Sequence, residues 1–438
     1  MTRALIRPRL ILIGAVALAA LTGSCLVAPP AADLLEQHAA TTDTAPATRA
    51  LARPQTQGYE AHWAVSEVVS QFNAMTFAKG QKAGFLGIFS HTEALFDLDD
   101  QFTSAEWLLR DNPLITGISL KIRWNHVHPE KNIVYWDKLE RLIALVASHG
   151  KVINLSLIPG YHTPEWVYAE GVPKIGPIPF RNEARYAPLF WSDGYLKLLT
   201  ADIQVIAKHY GDDPRVSTIT IQGHNYQGEE MHGIPVTFLT PYGFSRKTVV
   251  ENWKYWIDTY GQLFPHKKLI LVISQMYPGY PDLPFEIADY FVKTYQGRAI
   301  LQTQQLHGRD ESQLLSDAIV RQLSAYAPTS HELVGSFKEQ PMRQGTAEMT
   351  VYNFIRNGNP LYLQLWRRDS SDPHYAQALI EAMHTYEHLE VEAIKAQLQN
   401  KGLYREHADW HPNMVAPASK PIPPSQLLNP APLPAVPQ

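Results

Sequence analysis

Leu139-Glu140-Arg141-Leu142-Ile143-Ala144-Leu145-Val146 is followed, just past Gly150, by Val152-Ile153-Asn154-Leu155-Ser156-Leu157-Ile158. In the first stretch Leu139, Leu142, Ile143 and Val146 stand at i, i+3, i+4 and i+7, the apolar stripe of an amphipathic helix. In the second, aliphatic residues crowd together without a clean polar alternation, as in a parallel strand covered on both faces. Gly150 suits the residue that closes a helix. A similar apolar run at 117–124 precedes the helix, so the segment reads as strand, helix, strand, the unit of a parallel sheet.

The same alternation extends in both directions. Apolar runs at 84–90, 217–222, 269–274, 299–304, 333–337 and 361–366 complete a set of eight candidate strands. Between them Leu199, Ile203, Ile206 and Tyr210 repeat the helical stripe, as do Leu379, Ala382, Met383 and Tyr386. Ser192 or Asp193 can cap the helix that Gly211 follows. Eight such units within 59–400 fit a single-domain (β/α)8 barrel, a TIM barrel, better than an open doubly wound sheet, because no Gly-rich phosphate loop follows an early strand.

The ends read differently. Arg3, Arg7 and Arg9 precede an apolar run from Leu10 to Leu21 and then Thr22-Gly23-Ser24-Cys25, the layout of an export signal over residues 1–25. The run is too short for a comfortable membrane span. Residues 26–58, rich in Ala, Pro and Thr, read as a flexible linker, and 401–438 as a Pro-rich tail. The chain is therefore expected outside the cytoplasm: periplasmic, at the cell surface or secreted. Cys25, the only cysteine of the 438 residues, stands where a bacterial lipoprotein carries its lipidated cysteine. That resemblance implies a lipid anchor as the one membrane contact. The other reading is ordinary signal-peptidase cleavage nearby.

A formal charge of −4 gives no footprint for nucleic acid. With 45% hydrophobic and 18% charged residues the composition is globular. An aromatic content of 11% suits both a large core and a sugar-binding cleft. A barrel of this kind builds its active site from the C-terminal strand ends. There the sequence offers Arg123, Trp124 and Asn125; Tyr161, His162 and Trp166; His224 and Asn225 with Glu229-Glu230; Tyr277; His307; Glu339; and Trp366. These residue types stack on sugar rings and hydrogen-bond hydroxyls. Arg123, inside an apolar strand, needs a partner and is expected to find a catalytic carboxylate.

At this point a resemblance appears. Arg123-Trp124-Asn125-His126-Val127-His128-Pro129-Glu130, then Tyr135-Trp136-Asp137 and a Leu-rich helix, resembles the second barrel strand of clan A glycoside hydrolases such as the family-42-like β-galactosidases. Residues 159–167, Phe190-Trp191-Ser192 and 210–216 continue the likeness. It implies a carbohydrate substrate, an acid/base glutamate after strand four (Glu230), a nucleophile at the end of strand seven (Glu339), a sugar platform at Trp366 and a retaining mechanism without metal or cofactor. Clan members place Asn directly before the acid/base. Here Glu229 holds that position with Asn225 further back, so the choice between Glu229 and Glu230 stays open. Two other readings remain: a catalytically silent barrel that binds glycans, and a metal-dependent hydrolase built on His162, His224 and His307.

Overall fold

The computed structural model describes residues 66–91, 113–180, 183–337 and 344–406. The export signal, Cys25, the linker, the Pro-rich stretch beyond 406 and Glu339 lie outside the described residues. Among the described residues there are ten strands: β1 (Gly87–His91), β2 (Ile115–Arg123), β3 (Val152–Ile158), β4 (Lys174–Phe180), β5 (Glu183–Pro188), β6 (Val216–Thr220), β7 (Lys268–Ile273), β8 (Ala299–Leu306), β9 (Thr329–Leu333) and β10 (Pro360–Trp366). Eight of them close a barrel in the order β1-β10-β9-β8-β7-β6-β3-β2. Each barrel neighbour pairs in parallel. Helices such as Trp136–Ser148, Asp193–Tyr210 and Pro373–Tyr386 pack outside, burying the stripes read from the sequence. This is the expected (β/α)8 barrel. Gly150 turns left-handed at φ +67 after its helix, whereas Gly211 stays right-handed at φ −58.

Two features were not expected. An antiparallel hairpin, β4 with β5, stands between the short helix Glu165–Ala169 and the helix Asp193–Tyr210. At the other end, helix Glu67–Ala74 is capped by Ser66, whose hydroxyl also donates to the carbonyl of Gly150 at 2.6 Å. Its Val69 and Phe72 pack with Phe77 against Val152, Ile270, Ile300 and Leu361, residues near the starts of their strands. The Lys268 ammonium lies over the Phe72 ring at 4.9 Å and donates to the carbonyl of Asn73. The N-terminal mouth is thus plugged with apolar side chains, and the opposite mouth is left for chemistry.

One strand corrects the sequence reading. The seventh barrel strand is Thr329–Leu333, not 333–337. Thr329-Ser330-His331-Glu332 looks too polar for a strand buried on both faces, yet all five residues of β9 are buried. The reason is a polar lumen. Ser119, Asn154, Thr218, Gln302, Ser330 and Gln364 face inward and satisfy one another: Asn154 Nδ2 donates to Ser119 Oγ at 2.7 Å, Ser119 Oγ to Gln364 Oε1 at 2.9 Å, and Ser330 Oγ to Gln302 Oε1 at 3.2 Å. A hydrogen-bonded interior costs little where donors find acceptors, and it hides a barrel strand from a search for hydrophobic runs.

Candidate active site

Above that polar layer, toward the C-terminal strand ends, three charged side chains meet. Lys121 on β2 places Nζ 2.9 Å from Glu229 Oε2 and 2.8 Å from Glu332 Oε2. Glu229 comes from the loop after β6 and Glu332 from β9. Gln304 Nε2 on β8 donates to Glu229 Oε2 at 3.0 Å, and Gln364 Nε2 on β10 donates to Glu332 Oε2. On the far side His91 Nε2, at the end of β1, lies 3.6 Å from Glu332 Oε1. Five barrel strands and one loop therefore converge on two carboxylates. Their side chains are 0% and 4% exposed, and that of Lys121 is 8% exposed. Burial alone would lower the ammonium pKa, but Glu229 and then Glu332 more than reverse this, and Lys121 ends well above its ordinary value.

The loop carrying Glu229 is held from within. Asn225 Oδ1 accepts from the amide of Gly223 at 3.0 Å, while its Nδ2 donates to the carbonyls of Glu229 and Glu230 at 2.8 and 2.9 Å. The Tyr226 amide donates to His232 carbonyl at 2.8 Å, and the His232 amide to Glu230 carbonyl. Glu229 thereby turns inward. Glu230 folds back so that its Oε2 sits beside Gly228; burial raises its carboxyl pKa, against the pull of His232 and Lys121. The neighbouring β3 loop locks in through Gly160, which has φ +63, and a Cβ there would meet the carbonyl oxygens of Asn225 and Tyr226 at 2.3 Å. Gly160→Ala is therefore expected to displace the Glu229 loop and lower activity at least about ten-fold, with a stability loss of roughly 1–3 kcal/mol. Comparing kcat/KM with the urea midpoint checks this.

The structure distributes the residues expected at the site unevenly. Trp124 is a correction. It is 0% exposed, donates Nε1–H to Asp202 and packs edge-on to Tyr195, so it offers no face to a sugar. The parity of β2 explains it: Ser119, Lys121 and Arg123 face the lumen, so the next residue turns outward. Trp166 donates Nε1–H to the His128 carbonyl at 3.0 Å and rests on the His128 ring. His224, fully buried, engages Asn252 Oδ1 at 2.6 Å and Tyr277 Oη at 3.1 Å, so His224, Tyr277 and Asn225 act as supports behind the site. His307 lies 3.8 Å from Asp310. His162 is buried against Tyr161, at 4.1 Å between ring centroids. Among the described residues no three His, Cys, Asp or Glu gather as metal ligands would.

Trp366 stands half-buried at the end of β10, its Nε1–H on the Leu333 carbonyl at 2.7 Å and its ring edge-on to His91 at 4.5 Å, next to Glu332. Arg123, Asn125 and Tyr161 are also half-buried toward the mouth. The strand-two cation that reaches the carboxylates is Lys121, two residues before Arg123. Glu332, Lys121, His91, Gln304 and Gln364 escaped the sequence reading. A period-two polar pattern on β2 (Ser119, Lys121, Arg123) and β8 (Gln302, Gln304) was the signal for Lys121 and Gln304.

The buried histidines set a pH response. Burial pushes both His224 and His331 down to about 4. Between that value and the ordinary 6.5 the unfolded chain binds protons that the folded chain refuses, so stability falls as pH drops from 6.5 toward 4 and levels off below. Each contributes roughly 3 kcal/mol to the loss. Urea unfolding at pH 7 and pH 4.5 measures it, and His224→Gln should shrink the difference between the two pH values.

No protein-family model matches the chain, and no curated protein matches it by sequence. Among solved structures it is similar to xylanase 10B from Thermotoga maritima, with 11% identity, TM-score 0.43, 75% of this chain and 99% of that one covered. It is similar to a β-galactosidase from Marinomonas ef1, with 11% identity, TM-score 0.41 and 72% of this chain covered; the chain spans 60% of that enzyme's length. An exo-β-1,4-mannosidase from an Opitutaceae bacterium gives 11% identity, TM-score 0.41, and 74% and 62% coverage.

Proposed function

We propose that this protein is a retaining glycoside hydrolase in which Glu332 is the nucleophile and Glu229 the acid/base. The supporting observation is that both carboxylates hydrogen-bond one ammonium, Lys121, at 2.8 and 2.9 Å. Two oxygens sharing one ammonium stand at most about 6 Å apart, which suits the ~5–5.5 Å of retaining enzymes better than the wider inverting gap. Each carboxylate has one oxygen engaged and one available for chemistry. Glu332 Oε2 is held by Lys121 and Gln364, leaving Oε1 to attack the anomeric carbon. Glu229 Oε2 is held by Lys121 and Gln304, and its buried Oε1 has no hydrogen-bond partner. An unsatisfied buried oxygen is costly unless it is used.

In the reacting form the pair shares one proton. Glu229 gives it to the leaving oxygen as Glu332 bonds to the sugar, and a water then releases the sugar with Glu229 taking the proton back. One negative charge thus passes from Glu332 to Glu229 and returns. Lys121, equally close to both, balances it in either position. Trp366, beside Glu332, supplies an apolar platform for the ring. The export-like N-terminus places the substrate outside the cytoplasm in this reading.

The test is a glycan panel followed by NMR of the first-formed product. Release of sugar with retained anomeric configuration is expected, insensitive to chelator. An inverted product would discard the nucleophile role of Glu332. Binding without turnover would leave a silent glycan-binding barrel, and loss of activity on chelation a metal-dependent hydrolase.

A further inference from the structure

Barrels of this kind mostly fill their lumen with branched aliphatic side chains. Here the layer below Lys121 is polar, and its hydrogen bonds run in one direction. Thr218 and Thr220 of β6 donate to Asn154 Oδ1 of β3 at 3.0 and 3.1 Å. Asn154 Nδ2 donates to Ser119 Oγ of β2 at 2.7 Å, and Ser119 Oγ to Gln364 Oε1 of β10 at 2.9 Å. Gln364 Nε2 closes the chain on Glu332 Oε2 of β9. It begins on the strand whose loop carries Glu229 and ends on the strand that carries Glu332. Each of the five residues leading to Glu332 is at most 1% exposed, so bulk water competes for none of these bonds.

The direction is forced. A carboxylate oxygen only accepts, so Gln364 must turn its amide nitrogen to Glu332 and its oxygen to Ser119. Ser119 has one hydroxyl proton, which that oxygen takes, so toward Asn154 it can only accept. The nitrogen of Asn154 therefore faces Ser119, and its oxygen faces the two threonines, which both donate. Replacing buried hydrogen-bonded partners by apolar groups of the same shape is often nearly neutral for stability. Stability alone therefore gives no reason to keep this chain.

Resting on the hydrolase reading, we infer that Asn154 and Ser119 are positioning residues for Glu332, which they orient through Gln364. Gln364 is held at both ends, by Ser119 at Oε1 and by Glu332 at Nε2, so it cannot turn to follow a carboxyl that swings away. Lys121 fixes the same Oε2 at 2.8 Å. The attacking Oε1 thus takes its direction from residues across the barrel. Bonds in such a chain strengthen one another by about 10–30% each, so the loss of Asn154 is felt at the Glu332 contact. Misplacing a reacting atom by about 1 Å costs on the order of a hundred-fold in rate.

Kinetics and one NMR signal test this together. Asn154→Leu keeps the volume and removes the amide, while Ser119→Ala deletes a single oxygen and serves if the first variant folds poorly. In each, kcat should fall about ten-fold or more while KM stays within about three-fold. Gln364→Met should cost about a hundred-fold, and adding either variant to it should cost nothing further, because the path is already cut. Effects that multiply instead make Asn154 and Ser119 structural only and overturn the inference. Single variants with wild-type kcat on a glycan that the protein hydrolyses sink the positioning role and leave the hydrolase. The NMR signal is the Gln364 side-chain amide proton in protein carrying isotope-labelled glutamine, assigned by its absence in Gln364→Met. Its bond to a carboxylate should place it downfield, and each single variant should move it upfield. An unmoved signal overturns the inference whether or not a substrate is known. Should wild type turn over no glycan, the hydrolase reading falls, while the upfield shift upholds the hold of Asn154 on the Glu332 contact.

Discussion

Glu332→Gln is expected to reduce kcat on any glycoside this protein hydrolyses by at least about a thousand-fold, because no covalent glycosyl-enzyme forms without the nucleophile. Glu229→Gln should behave differently. Loss of the acid costs roughly a hundred- to ten-thousand-fold on substrates with poor leaving groups. It costs far less in the first step on activated aryl glycosides, whose leaving oxygen needs no proton. With such substrates the second step becomes limiting, and added azide, which attacks the intermediate without a base, should restore turnover as a glycosyl azide. Glu230→Gln should lose less than about ten-fold, since its carboxyl sits beside Gly228 and it is Glu229 that makes the 2.9 Å contact with Lys121. Steady-state kinetics on aryl and natural glycosides for the three variants settles the assignment. A Glu332→Gln enzyme within ten-fold of wild type, or a Glu230→Gln enzyme crippled in the Glu229 pattern with azide rescue, would refute it.

The ease with which the barrel could be read, and the difficulty of reading its site, have one physical origin. Outward faces of barrel strands and inward faces of helices are apolar, and those runs and stripes reveal each unit: Val152–Ile158 is read to the residue. The lumen follows another rule. Its positions alternate with the outward ones, so a polar lumen dilutes every strand with Ser, Asn, Gln and charge, and β9 becomes Thr329-Ser330-His331-Glu332-Leu333. A reading by hydrophobicity slides past it to 333–337, and so looks for the strand-seven glutamate at 339, outside the described residues, and passes over Glu332 within the strand. Lys121 is overlooked for the same reason, as a lone polar residue among Leu120 and Ile122. The choice between Glu229 and Glu230 lay further out of reach. It depends on Asn225 gripping two successive carbonyls and on a left-handed Gly228, and spacing along the chain encodes neither. The hairpin, whose strands carry prolines at 177, 179 and 188, gave no strand signal at all.

Lys121→Met provides the second large effect, and it separates a charge-balancing lysine from one that only fills space. Methionine replaces the stem at similar volume, so little is lost to packing. What remains is a pair of buried carboxylates facing each other without their cation, and breaking a buried ion cluster costs about 3–5 kcal/mol. The loss must depend on pH in a definite sense. Two like charges this close cannot both stay ionised, so one carboxyl of the folded variant is raised above the unfolded carboxylate value and holds a proton. The folded state then binds more protons than the unfolded one, and stability falls as pH rises through that raised value. Urea unfolding should show the variant much less stable than wild type at pH 8 and closer to it at pH 5. Activity should fall together with the charge: with no ammonium to follow the negative charge from Glu332 to Glu229, both chemical steps slow, and neither azide nor an activated leaving group restores more than one of them. A destabilisation of the same size at both pH values would mean that Lys121 serves as packing alone, and the charge exchange between the two glutamates would lose its physical basis.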